Sequence, residues 1–199
     1  MLIHLDGFAD STHFGALSRR RASAVRGLAA AALCLCAATV AGGCYDDGSP
    51  APGGCTSDGS VAVPNDVWRH VESEEELVYQ HNPPASGPHF PTWASYAIHV
   101  EVVKRGNWVH NLEHGAIVLL IGAQATEEQR ETILAAYQAI PNDPNCGHRR
   151  TIVTKDPLLD GPMAAVAANA VLEGGGLTVA QIVEFAVACR DRAPEDICL

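Results

Sequence analysis

Seven cysteines divide this chain in two. Cys34, Cys36 and Cys44 lie in or just after an uncharged apolar run, Gly27–Val40, whereas Cys55, Cys146, Cys189 and Cys198 are spread over the remainder. A charge boundary coincides with this division, because Arg19, Arg20, Arg21 and Arg26 cluster immediately before the apolar run. A basic stretch, a short apolar stretch and then small residues are the parts of a secretory signal. The run is shorter than the roughly 20 residues that a membrane-spanning helix needs. A buried core helix would not carry arginines at its mouth and a Gly42-Gly43 break behind it. The sequence therefore predicts an export signal over residues 1–43 and a working domain that folds outside the cytoplasm. In an oxidising compartment the four later cysteines form an even set, which predicts two disulfides with three possible connectivities. Among these, a bridge tying Cys198 at the tail back to the body is the one we expect.

The segment Val40-Ala41-Gly42-Gly43-Cys44 resembles the lipobox of bacterial lipoproteins, with Ala41 where a larger aliphatic residue is usual. That resemblance implies that Cys44 is lipidated and becomes the first mature residue. The membrane would then be a partner through the anchor, on the periplasmic or outer-membrane face of the envelope. Residues 44–64, rich in Gly, Pro, Ser and Asp, read as a flexible tether. Residues 65–199 read as a single globular domain, since the 156 residues from Cys44 onward are enough for one core. Once residues 1–43 are set aside, 9 Lys+Arg face 21 Asp+Glu, a net charge of −12 with His neutral. So acidic a domain would be repelled by phosphate backbones, which argues against nucleic acid as a partner and is compatible with cations.

Within that domain, Val67–Tyr79 predicts a short strand or a turn of helix. Four prolines and a glycine make Gln80–Trp93 a loop. Ile98–Val103 reads as a strand followed by a turn at Arg105-Gly106-Asn107, and Ala116–Ile121 (AIVLLI) as a fully buried strand. Thr126 to Gln129 form a capping box that opens a helix with Ile133, Leu134, Tyr137 and Ile140 as its stripe and Pro141 as its stop. Thr151–Thr154 predicts a strand, and Pro162–Leu172 a helix ended by Gly174-Gly175-Gly176. A second capping box at Thr178 to Gln181 opens a helix with Ile182, Phe185, Ala186 and Cys189 on its apolar face. The expected fold is α+β (or α/β), a short sheet covered by about three helices.

Chemistry is concentrated in two motifs. The first is Asn82-Pro83-Pro84-Ala85-Ser86-Gly87-Pro88-His89; the second is Trp108-Val109-His110-Asn111-Leu112-Glu113-His114-Gly115. A proline-stiffened loop fixes a side chain at low entropic cost, as a metal ligand requires. His89, His110, Glu113 and His114 together make a plausible first shell for zinc or copper(II). His110 to His114 also matches the H-x-x-E-H pattern of zinc proteases, in which both histidines lie on one helical face. Were this stretch extended into AIVLLI, the two rings would sit roughly 13 Å apart at ~3.3 Å per residue. The pattern therefore chelates one ion only if the chain bends helically before Gly115. His70 and His81 lie outside both motifs and are not counted as ligands. Ser86 lacks the G-x-S-x-G setting of a hydrolase nucleophile, and Cys146 is better used in a disulfide.

NPPASGPHF followed by WVHNLEHGAIVLL resembles the domain-of-unknown-function family 3105, as does the Pro194-Glu195 near the C-terminus. The resemblance covers roughly Tyr79 to the C-terminus and singles out Asn82, Pro83, Pro84, Ser86, Gly87, Pro88, His89, His110, Glu113, His114 and Gly115. Ala85 and Phe90 depart from the family's usual Thr and Tyr. It implies an exported or membrane-anchored protein and no established activity. Three functions fit these residues: an envelope lipoprotein that binds zinc or copper, a zinc-dependent hydrolase using the same residues with Glu113 as general base, and a structural lipoprotein without metal.

Overall fold

A computed structural model describes residues 55–199. The export signal over residues 1–43, lipidation at Cys44 and the first part of the tether lie outside the described residues. The elements are β1 (Val61–Ala62), β2 (Arg69–His70), β3 (Pro88–His89), α1 (Arg105–Glu113), β4 (Ile117–Gly122), α2 (Glu127–Ala139), β5 (Thr151–Asp156), β6 (Met163–Ala167), β7 (Ala170–Glu173) and α3 (Val179–Cys189), with a 3-10 turn at Glu74–Glu76. Five strands form one mixed sheet in the order β1-β7-β6-β4-β5, and β2 and β3 pair in parallel as a separate two-residue ribbon. This is a small α+β domain. Among the described residues no helix is long and apolar enough to cross a membrane.

The apolar run AIVLLI becomes the central strand β4, hydrogen-bonded in parallel to β5 and antiparallel to β6. Its alternation explains why every position is apolar. Ile117, Leu119 and Ile121 enter the core under α2 and α3, while Val118 and Leu120 enter the core on the other face with Trp108, Val109 and Leu112 of α1. A strand covered on both faces has no polar side to show in its sequence. Both capping boxes form, at Thr126 with Gln129 and at Thr178 with Gln181. Ile133, Ala136 and Ile140 are the buried side of α2; Leu134, expected in that stripe, is exposed, and Ala136 takes its place.

Three expectations are corrected. Met163–Ala167 and Ala170–Glu173 form an antiparallel hairpin where a helix was expected over Pro162–Leu172. Alanine favours helix by propensity, but tertiary burial overrides a weak local preference. Asn169, at φ 58°, supplies the left-handed residue that the two-residue turn needs. Ile98–Val103 is not a regular strand; it touches the sheet through an isolated bridge of Ile98 to Val153, and Val100 is exposed. Arg105-Gly106-Asn107 is not a turn but the first turn of α1.

Disulfides join Cys55 to Cys189 and Cys146 to Cys198, so the tail is tied to the body as expected. Cys55 is buried and Val61–Ala62 pairs with β7, so the described part of the stretch that composition assigns to a tether packs with the domain.

Candidate metal centre

Helix α1 carries His110 and Glu113, and His114 caps its end. Positions i, i+3 and i+4 of a helix share a face, so the bend on which chelation depended is present. The end of α1 is set by Gly115 at φ +82°, whose N–H donates to Leu112 O at 3.0 Å, while Ala116 N–H donates to Asn111 O at 3.0 Å. A side chain at Gly115 would be strained by that φ and would meet Asp196 and Arg150. The opposite side of α1 is Trp108, Val109 and Leu112, all fully buried. With apolar core on one side and buried polar groups on the other, the helix shows no exposed face.

The proline loop brings the third histidine. Pro83 to His89 are buried, and Ser86 Oγ accepts the N–H of Asp66 at 2.8 Å. Ala85 O accepts the N–H of Asn169 at 2.8 Å. Asn82 Nδ2 donates to Leu158 O and to Asp160, each at 2.8 Å, and its Oδ1 accepts from Arg105 at the start of α1. The loop is thus fastened to both the sheet and the helix it must oppose. Asn111, which the motif reading passes over, completes the fastening: its side chain accepts Ala94 N–H at 2.8 Å and donates to Ala94 O at 2.9 Å, fully buried.

The ring nitrogens define the site. His89 Nδ1 lies 2.9 Å from Gly87 O, His110 Nδ1 lies 2.7 Å from Phe90 O, and His114 Nδ1 lies 2.9 Å from Glu195 O. A carbonyl oxygen only accepts, so each Nδ1 carries the hydrogen and each neutral ring presents a bare lone pair at Nε2. These lone pairs converge. His110 Nε2 and His114 Nε2 are 3.1 Å apart, and His89 Nε2 is 3.0 Å from Glu113 Oε2. His114 Nε2 lies 4.0 Å from the same carboxylate oxygen. His89 Nε2 is fully buried and, despite its closeness to Glu113, makes no hydrogen bond of acceptable geometry. Two pairs of electron-pair donors, His110 with His114 and His89 with Glu113, therefore face each other with no hydrogen of a neutral ring between them, a repulsive arrangement unless a proton or another cation joins it.

Burial disfavours the charged form of His110 and pulls its pKa below the usual histidine value, aided by His89 and His114 and opposed by the bond to Phe90 O and by Glu113. Burial also pushes Glu113 upward, but the histidines in their protonated state, His89 first and then His114 and His110, outweigh it and hold the carboxyl below its usual range. Loss of those protons leaves neutral imidazoles beside an ionised carboxylate, the state in which both act as ligands.

All four residues expected as metal ligands are thus brought together. Sequence reasoning missed a fifth member, His70. The parallel register sets His70 against His89, with ring centroids 4.8 Å apart, and His70 stacks on His110 at 5.1 Å. No local motif marks His70; only the non-local pairing of two short strands brings it in. Donor atoms of His70, His89 and His110 lie within 4.8 Å of one another, as do those of His110, Glu113 and His114. His81 is not in either group. Cys146 is in a disulfide, and Ser86 serves the backbone.

The family model described as "Protein of unknown function (DUF3105)" matches residues 70–198, which include every member of the cluster. No curated protein and no solved structure matches the chain.

Proposed function

The chain belongs to the family of proteins of unknown function DUF3105, and from that premise we propose that it is a metal-binding protein that holds one zinc or copper(II) ion in the cluster of His89, His110, Glu113 and His114, with His110, Glu113 and His114 as its innermost ligands. The observation that carries this reading is the use of Nδ1. All three rings are locked by main-chain carbonyls into the tautomer that frees Nε2. Outer-shell hydrogen bonds of this kind orient imidazole ligands and raise their basicity. A tetrahedral zinc shell with bonds of ~2.0–2.1 Å separates its ligand atoms by about 3.3 Å. The contacts of 3.0 and 3.1 Å lie just inside that figure and the 4.0 Å pair just outside it. Imidazole and carboxylate donors suit zinc and copper(II) equally.

Binding is favoured over hydrolysis by the position of Glu113. A zinc hydrolase keeps a coordination position open for water and holds its general base off the metal. Here Glu113 Oε2 is among the converging donors, and its side chain and those of His89 and His114 are 10% exposed or less. Such a closed set binds an ion and leaves little room for a substrate. We place this function outside the cytoplasm, in an envelope lipoprotein anchored through Cys44, on the strength of the basic and apolar segment before that cysteine.

Metal analysis of the purified, tag-free chain tests the reading. One zinc or copper per chain is expected, with stoichiometric binding lost in His110→Ala. A parent chain that takes up neither ion on titration would overturn it.

A further inference from the structure

The cluster holds more donors than one ion needs, and the surplus one faces solvent. His70 is exposed, while His89, His110, Glu113 and His114 are buried. The two groups of donors overlap at a single residue, His110. With its Nδ1 donating to Phe90 O, His110 has one free nitrogen for either group. One ion can therefore occupy the outer group or the inner group, and pass between them while it stays bound to His110.

Resting on the metal-binding reading above, we propose that His70, His89 and His110 form an outer metal position through which a hydrated zinc or copper(II) ion is exchanged with the buried position at His110, Glu113 and His114. The chain then serves metal transfer and not only storage. An ion that leaves a buried shell in one step must shed several protein ligands before water replaces them. Exchanging ligands one at a time keeps the coordination number nearly constant, and an exposed imidazole next to the shell allows this. The transfer moves no electrons, and with Nδ1 of His89 and His110 committed to Gly87 O and Phe90 O the ion is held on Nε2 of each. His70 sits in a strand of two residues with both positions exposed, so truncating it removes no core.

Stopped-flow measurement on the purified full chain tests the proposal, with Zn²⁺ as the probe for uptake and a chromogenic chelator for release. A residue that only assists exchange changes both rates by the same factor and leaves the affinity alone, because affinity is their ratio. For His70→Ala we expect one-ion stoichiometry and an affinity within about 3-fold of the parent, with uptake and release both slowed at least ~10-fold. Unchanged rates would overturn the proposal and leave His70 a stacking residue. A fall in affinity without matched slowing would also overturn it, and would make His70 a ligand of the resting ion. As a second arm, His114→Ala should retain weak one-ion binding on the outer position, and the double variant with His70→Ala should lose it. Equal residual binding in the two would contradict an outer position. A parent that binds no zinc would instead sink the function proposed above, so the two failures are distinct.

Discussion

His114 Nδ1 donates to the carbonyl oxygen of Glu195, 81 residues further along the chain, at 2.9 Å. The helix that carries the candidate ligands is therefore completed by the C-terminal tail. Glu195 N–H returns a bond to Glu113 O at 3.1 Å, and Arg150, buried between them, reaches His114 O, Asp191, Asp196 and Ile197 O. The Cys146–Cys198 disulfide fixes the end of that tail.

Releasing the tail should weaken metal binding without unfolding the domain. Cys198→Ser leaves Cys55–Cys189 and both cores in place. It loosens the carbonyl that orients His114. Loss of such an orienting partner costs roughly 10- to 100-fold in metal affinity. Zinc titration by calorimetry, beside far-UV circular dichroism, checks this; an affinity equal to the parent's would show that the tail does not orient His114.

Arg150→Met should destabilise the fold itself. The guanidinium is buried with Asp143 at 2.6 Å, together with Asp191 and Asp196. Removing one partner from such a network leaves uncompensated buried charge, a loss of about 3–5 kcal/mol. Thermal or urea unfolding of the metal-free chain measures it.

Asn111→Ala should be costly for a different reason. It strips Ala94 N–H and Ala94 O of their partners inside the protein. Two buried unsatisfied groups correspond to roughly 2–6 kcal/mol. We expect lower stability in urea unfolding and, because the segment opposite α1 loosens, weaker zinc binding.

Acid should destabilise the metal-free protein earlier than carboxylate titration alone would. His110 has a folded pKa below its ordinary 6.5, so the unfolded chain binds more protons and stability falls as pH drops below about 6.5. Glu113, also lowered, adds a second loss in the same direction below 4.5. Unfolding free energy measured from pH 8 to pH 5 should decline, and His110→Gln should flatten the decline. Equal slopes for parent and variant would remove His110 as its source.

Much of this was legible in the sequence, for definite reasons. The strand β4, the two capped helices and the tail disulfide are local signals: an uninterrupted apolar run, Thr and Gln at the right spacing, an even set of cysteines. The ligand quartet was legible because proline and glycine fix its loop and because H-x-x-E-H has helical spacing. Two elements were not legible. Helix α1 is buried on nearly every side, so Trp108, Val109 and Leu112 opposite His110 and Glu113 give no amphipathic stripe. The hairpin β6–β7 is rich in alanine, whose preference is helical, and only its burial on both faces makes it sheet. His70 belongs to neither motif and depends on a pairing 19 residues away in sequence, at His89.

Main-chain carbonyls hold His89, His110 and His114 as Nδ1–H tautomers and leave Nε2 of each free for a metal ion. Long-range ¹H–¹⁵N correlation spectra of the histidine side chains read this directly. In the metal-free chain above pH 7 we expect His89, His110 and His114 to show protonated Nδ1 and bare Nε2. One equivalent of Zn²⁺ should then shift all three Nε2 signals and leave the Nδ1 hydrogens in place. Nε2–H tautomers at these residues, or Nε2 signals unmoved by zinc, would rule out Nε2 as the metal-binding atom.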